Sequence, residues 1–242
     1  MADTRPDLAK EQTSFQPISP EQAARLEAIA RVTGAIAHDF NNLIMLVNGY
    51  SDLLLNQTPE DDRRRPDIQS IHQAGLRAAA LTRQLLATGR RLQMKVAPFD
   101  VNEFLQSHEE SIRQEVGTGV SLSFTVDEAG GGLRADPLQL LNALLELARN
   151  AREAMPDGGA VTLRTEAAAG SVLIHISDTG RGIPDQIRER MFEPFFTTKP
   201  RRLGKGLGLA IVYGIVTQCG GEVGVQSVPG EGATFSLRFP RA

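Results

Sequence analysis

The chain has 242 residues, enough for one large or two modest domains. Its 26 Lys and Arg against 29 Asp and Glu leave a formal charge of −3, so no basic excess is available to track a nucleic-acid backbone. A single cysteine, Cys219, excludes a disulfide framework and a cysteine-rich zinc site. No apolar run approaches the ~20 residues that span a bilayer. The opening MADTRPDLAK carries acids without an apolar core, unlike a secretory leader. A soluble, cytoplasmic protein is expected.

Residues 1–18 mix Pro, Gln, Ser and charges without periodicity and read as a flexible lead-in. At Ser19-Pro20-Glu21-Gln22 a helix start is written: Ser19 caps, Pro20 suits the first helical position, and Gln22 completes a capping box. From there Leu26, Ile29, Thr33, Ile36, Phe40, Leu43, Val47, Tyr50 and Leu54 follow 3-4 spacing, a heptad seam with one polar member. Residues 56–66 read as a turn. A second helix repeats the spacing with Ile71, Ala74, Ala78, Leu81, Leu85, Thr88 and Leu92, and Pro98 marks its end and a domain boundary. A two-helix hairpin cannot bury both stripes alone. A second copy across a two-fold axis, giving a four-helix bundle, is the economical solution; packing on the chain's own second half is the alternative.

Beyond Pro98 the texture changes. Residues 101–115 look helical, and VSLSFTV (120–126) alternates like a half-buried strand. A third helical stretch runs from Pro137 to about Met155 and stops at the turn Pro156-Asp157-Gly158-Gly159. GAVTLRTE and SVLIHIS read as adjacent strands. The glycine-rich, aromatic and basic stretch Asp178–Gly208 precedes a helix near 207–219, and GEVGVQSV and ATFSLRF close the chain as a hairpin. The second half is expected to be a mixed sheet with helices on one face.

His38 falls at an outward position of the first helix, with Asp39 beside it and Asn42 one turn on. An exposed imidazole next to a carboxylate suits a nucleophile, because the acid accepts the other ring nitrogen's proton, and the amide suits orientation of a water. Taken alone, AHDFNN fits a polar helix face equally well. Glu146 and Asn150 lie one turn apart beside a leucine stripe, where a carboxylate and an amide oxygen can hold a hydrated Mg²⁺; as an isolated pair they also fit ordinary surface polarity. Asp178-Thr179-Gly180-Arg181-Gly182 follows a strand, a place where glycines let backbone and nucleotide approach, though any such run also makes a tight turn. It is neither a Walker loop nor a dinucleotide fingerprint. Gly204-Lys205-Gly206-Leu207-Gly208 opens an apolar helix and offers amides and a cation to an anion. Between the two glycine clusters, Pro194-Phe195-Phe196-Thr197-Thr198-Lys199 and Arg201-Arg202 read as a lid over phosphates or as a long surface loop.

Together these stretches carry a resemblance. GAIAHDFNN resembles the phosphoacceptor box of sensor histidine kinases, ELARNAREAM their N box, DTGRGIP the first glycine box, FEPFFTTK the F box, GKGLGLAIV the second glycine box, and GEGATF the closing strand motif. They occur in the family's order between Ile29 and Phe239, and the wording around HDFNN is similar to that of PAS-linked and hybrid kinases. The resemblance implies an α+β chain: a dimerisation and phosphotransfer hairpin over 19–97, forming a dimeric four-helix bundle, then an α/β-sandwich ATP-binding domain of Bergerat type over 98–242. It implies that His38 is phosphorylated, that Asp39 assists as base, and that Asn42 orients water during dephosphorylation of a partner. Asn150, with Glu146, would hold Mg²⁺; Asp178 would read the adenine amino group, with Gly180 and Gly182 forming the adjacent turn. Gly204, Gly206 and Gly208 would face phosphates beside Lys205 and Leu207, Thr234 would place a hydroxyl near the adenine, and Phe195, Phe196 and Lys199 would belong to the lid.

The chain also departs from the pattern. Glu146 stands where many members carry Asn, and a carboxylate there can activate water for futile ATP hydrolysis. Glu153 replaces a common lysine, so Arg152 or Lys199 is expected to supply that charge. Leu43 stands where many members carry proline, which predicts a straighter first helix. The expected function is ATP-dependent autophosphorylation of His38 and transfer to an aspartate of a response-regulator receiver domain. The alternatives are a phosphotransfer relay with an inert ATP domain and an ATPase that uses Glu146. Input is expected through residues 1–20, a partner protein, or a sensory portion outside this chain.

Overall fold

A computed structural model describes residues 15–88, 94–127, 131–199 and 205–242. Helix α1 (Pro20–Gln57) begins where its caps put it: the Ser19 side chain accepts from the Gln22 N–H at 3.1 Å, and Pro20 fills the first turn. The reciprocal half of the capping box is not made. The Gln22 amide instead donates to the carbonyls of Arg188 (3.2 Å) and Glu189 (3.0 Å), far along the chain. With no proline near Leu43, α1 runs unbroken for 38 residues.

Helix α2 (Arg65–Thr88) folds back on α1 along a stripe of small residues, leaving most of the large apolar seam outside the joint. The α1 side of the joint is Ala30, Gly34, Ala37 and Ser51, with Asn41, Ile44, Asn48 and Leu55 half-buried; the α2 side is Ile68, His72, Gly75, Ala79 and Thr82. Small side chains let the two backbones approach, so the joint needs few large ones. The larger residues of the expected seam, Ile36, Phe40, Leu43, Val47, Tyr50 and Leu54, stay 46–66% exposed, as does Ile71 on α2. Leu85, Thr88 and Leu92 lie outside the residues whose side chains are described.

The second half opens with β1 (Ala97–Asp100), which pairs with β3 (Gly132–Ala135) in a two-stranded antiparallel ribbon. Pro98 therefore lies inside a strand, opposite Arg134. Helices α3 (Val101–Ser107) and α4 (Glu109–Val116) follow, the first capped by Asp100. The remaining elements are β2 (Val120–Thr125), α5 (Pro137–Ala154), β4 (Gly159–Ala168), β5 (Ser171–Asp178), α6 (Asp185–Arg188), α7 (Gly208–Gln218), β6 (Glu222–Val228) and β7 (Gly232–Pro240). Five strands form one sheet in the order β2-β4-β5-β7-β6, parallel between β2 and β4 and antiparallel elsewhere.

Alternation decides what faces the helices. On β5 it is Val172, Ile174, Ile176 and finally Asp178; on β7 it is Ala233, Phe235, Leu237 and Phe239. Helix α5 lays Leu140, Ala143, Leu144, Leu147, Ala148 and Ala151 against them, a stripe at helical spacing that starts from the Asp136 cap and Pro137. Helix α7 is buried nearly all round because it lies among α5, the sheet and α2. Leu26 of α1 joins this same core.

Residues 15–18, expected to belong to a flexible lead-in, are extended against the sheet edge. Ile18 N–H donates to the Val223 carbonyl at 3.2 Å, and Pro17 bridges to Gly224. Residues 1–14 lie outside the described part. Among the described residues no helix is long and apolar enough to cross a membrane.

Candidate active site

One cavity of about 640 Å³ opens between α5, the end of β5, the segment after it, and the start of α7. Helix α5 lines it with Glu146, Arg149, Asn150 and Glu153, which share the face next to the buried leucine stripe. Strand β5 ends in it with Asp178, whose register partner Ala233 also lines it, together with Phe235. The cavity is of the size and mixed polarity of a small-ligand site.

Asp178 is held in place by the turn it begins: its Oδ1 accepts from the Gly180 N–H at 2.8 Å. Burial pushes its pKa above the ordinary carboxylate value, while the backbone donors of Gly180 and Ala233 oppose the rise. A partly buried carboxylate at a strand end is a strong acceptor for one N–H of a flat ring that enters between Ile183, Ile187 and Met191. The Asn150 side chain carries a buried Nδ2 without a hydrogen-bond partner, the mark of a polar group waiting for a ligand. Burial also raises the pKa of Glu146, offset by Arg149, whose Nη1 lies 3.2 Å from its Oε1. Arg149 Nε donates in turn to Glu115 at 2.8 Å, which fixes the guanidinium across the cavity wall.

The start of α7 supplies the anion end. Leu207 makes no side-chain cap bond, so the first N–H groups of the helix are left for a guest, with Lys205 beside them. The lid is seated on this glycine run. Phe195 N–H donates to the Gly206 carbonyl at 2.7 Å, and Gly206 has φ +65 with room for no side chain, since a Cβ would stand 2.6 Å from the Phe195 carbonyl carbon. Phe196 lines the cavity beneath the Arg190 guanidinium, 4.6 Å from its ring centre, and Lys199 pairs with Glu153 on α5.

The cavity brings together Glu146, Asn150, Asp178, Gly182, Phe196, Lys199, Lys205, Gly206, Leu207 and Gly208. Gly180 sits behind Asp178 rather than in the wall. Gly204 lies outside the described residues. Two expected contacts are corrected. Thr234 points to the opposite sheet face, where it meets Ser177 at 2.9 Å, and Ala233 takes the cavity side. Phe195 turns outward, 61% exposed, at a φ of +65 that few non-glycine residues adopt. Of the two cations expected near Glu153, Lys199 lines the cavity; Arg152 turns away to the Glu115 carbonyl at 2.5 Å. Arg149 and Arg181, not singled out from the sequence, line the cavity too. Arg149 was readable as the residue three beyond Glu146.

His38, Asp39 and Asn42 are exposed on α1. Among the described residues no part of α1 or α2 lines the cavity. Nor do any three His, Cys, Asp or Glu side chains converge among them, so a metal here would share its shell with a ligand's oxygens.

A five-stranded sheet with helices on one face, a strand-end aspartate and a glycine-run lid together define an ATPase-type domain. Residues 135–242 match the family of histidine kinase-, DNA gyrase B-, and HSP90-like ATPases. The sensor kinase CckA of Brucella abortus (strain 2308) is 39% identical over 235 residues, 91% of this chain and 25% of CckA. The crystal structure of full-length ShkA in complex with AMPPNP is similar with a TM-score of 0.64 at 28% identity, over 93% of this chain and 47% of that one. The mycobacterial sensor histidine kinase MprB is similar with a TM-score of 0.52 at 30% identity, over 60% of this chain and 97% of that one. The chain therefore belongs to the histidine kinases, and it spans a quarter to about half of the length of the first curated relatives it matches.

Proposed function

We propose that the chain is the catalytic core of a two-component histidine kinase, with residues 19–97 as the dimerising phosphoacceptor hairpin and 98–242 as the ATP-binding domain. The observation that carries the reading is the pairing, in one chain, of an exposed His38-Asp39 couple on α1 with a cavity that holds a partly buried Asp178 and an unpartnered Asn150 amide nitrogen. ATP enters with its adenine amino group on Asp178 and its phosphates toward Lys205, Gly206, Gly208 and the first turn of α7. Glu146 and Asn150 offer oxygens to Mg²⁺, a hard cation satisfied by one or two protein ligands plus phosphates; bound there it neutralises phosphate charge.

The His38 imidazole attacks the γ-phosphorus in line, the bond to the bridging oxygen breaks, and ADP leaves. Asp39 takes the proton from the other ring nitrogen, and Arg149 and Lys199 balance charge at the cavity mouth. The phosphoryl group then passes to a receiver-domain aspartate on a response regulator, and Asn42 orients water when the reaction runs as dephosphorylation. The bare stripe of Ile36, Phe40, Leu43, Val47, Tyr50 and Leu54 is covered by the same stripe of a second copy, closing a four-helix bundle.

The test is incubation with γ-labelled ATP and Mg²⁺ beside His38→Ala. Acid-labile, base-stable label that the substitution removes, with nucleotide binding intact, is the expected result. Phosphate release without protein label would favour an ATPase instead.

A further inference from the structure

Two cations of the cavity wall are held by carboxylates of the same chain, and they are held differently. Arg149 belongs to α5 and pairs within its own wall, with Glu146 at 3.2 Å and with Glu115 behind it at 2.8 Å. Lys199 belongs to the lid and crosses the cavity to Glu153 on α5. The path of the lid sets up that crossing. Its near end is seated on Gly206 and under Arg190 through Phe195 and Phe196. Thr197 and Thr198 then line the cavity, and the Lys199 N–H donates to Thr197 Oγ1 at 3.1 Å in a tight turn. Because the lid sits on Gly206, the pair stands beside the glycine run that takes the phosphates. Among the described residues Glu153 and Lys199 form no other ion pair, and their side chains are only 32% and 27% exposed.

A pair in this place answers to the charge of the guest. Glu153 offers Lys199 one negative charge, whereas a terminal phosphoryl group offers about two, spread over three oxygens. A nucleoside diphosphate is one phosphoryl group shorter and brings no such rival. We propose that Glu153 and Lys199 form a gauge of phosphate number: the γ-phosphoryl group of ATP draws Lys199 off Glu153, and ADP leaves the pair closed. The proposal rests on the cavity taking ATP with its phosphates toward the start of α7. Lys199 then touches the group that is transferred, and Glu153 sets specificity by acting through it. Once that group has gone, Glu153 takes Lys199 back, so the site favours ATP over the product that fits the same cavity.

The two partners give the test its sign. A pair that only ties the lid to α5 is broken equally from either side, so removing either partner weakens binding. A pair that competes with the γ-phosphoryl group gives opposite signs. The full-chain parent, Lys199→Met and Glu153→Gln are titrated calorimetrically with ADP and with AMPPNP in the presence of Mg²⁺. Lys199→Met should bind AMPPNP about tenfold more weakly, the value of a hydrogen bond to a charged group. It should bind ADP within about twofold of the parent, which also shows that the variant is folded. Glu153→Gln should bind AMPPNP about threefold more tightly, the order of a partly exposed ion pair that no longer has to be broken, with a smaller change for ADP. Unchanged or weaker AMPPNP binding by Glu153→Gln, or equal losses of ADP and AMPPNP by Lys199→Met, overturns the gauge. If the parent binds neither nucleotide, the nucleotide reading of the cavity falls and the gauge falls with it.

Discussion

Asp178 and Thr234 sit on neighbouring strands and face opposite ways, which gives their substitutions different outcomes. Asp178→Asn removes a charged acceptor and should weaken ATP binding by about 10- to 100-fold, the value of a hydrogen bond to a charged group. Thr234→Ala should change it by less than about twofold; calorimetric titration of both separates the two. Glu146 makes a prediction about stability. Its folded-state pKa is raised, chiefly by burial, above an unfolded value of about 4.3. The charge therefore costs stability above the folded pKa, and the cost disappears as pH falls toward the unfolded value. Glu146→Gln should raise the thermal midpoint by about 2–4 °C at pH 8, with a smaller gain at pH 5; melting curves at the two pH values check it. The sequence pattern was enough to mark Asp178, Asn150, Gly182, Gly206 and Gly208, which the structure brings to one cavity. It also held the parity that excludes Thr234, because Ala233, Phe235, Leu237 and Phe239 are the inward apolar set. Phe195 was not readable in this way, since its outward turn depends on the seat that Gly206 makes for it.

At the scale of elements, the lid and the start of α7 act as one unit through the Phe195 to Gly206 hydrogen bond. Gly206→Ala places a methyl group against the Phe195 backbone in a conformation that disfavours it. Nucleotide affinity should fall by about tenfold, as about 1.4 kcal/mol of strain would give, and the Phe195 amide should exchange faster. Affinity equal to the parent's would show that the lid is not seated there. Long elements were legible: α1 from its cap, α5 from Asp136-Pro137 and its leucine stripe, and β5 and β7 from alternation. The β1–β3 ribbon was not, because four-residue strands carry too little periodicity. The α1–α2 joint itself was not legible for a physical reason. Large apolar residues mark where a helix has most surface to cover, and here that is the bare face; the joint with α2 is built of Gly34, Ala37, Ser51 and Gly75.

For the whole molecule, the bare stripe of α1 is the surface on which the proposed dimer would close. Leu43→Asp puts a charge in the middle of that stripe without touching the α1–α2 joint. Sedimentation should show dimer for the parent and monomer for the variant, with helix content nearly unchanged by circular dichroism. A dimer that survives Leu43→Asp would mean the copies meet elsewhere. The docking of the two halves could not be read from the sequence. Gln22 looked like half of a capping box, and nothing near Arg25 marked its partner Glu193, because the partners of both lie more than 160 positions away.

The polar layer low in the hairpin has a mechanical consequence. Ser51 Oγ lies 3.0 Å from His72 Nδ1, Asp52 lies 3.4 Å from the same nitrogen, and the Asn48 amide fills the space over Gly75. Sliding α1 along α2 by one turn would strip the Ser51 and Asp52 contacts with His72 and lift Asn48 off Gly75, and a polar layer of this kind, buried at Ser51, pins register. Above it the joint is Ala30, Gly34 and Ala37, which interlock little. The layer, 10–14 residues beyond His38, is thus a fulcrum about 15–21 Å away at 1.5 Å per residue. A displacement imposed on the entrance of α1 would therefore reach His38 as a pivot about this layer rather than as a slide along α2.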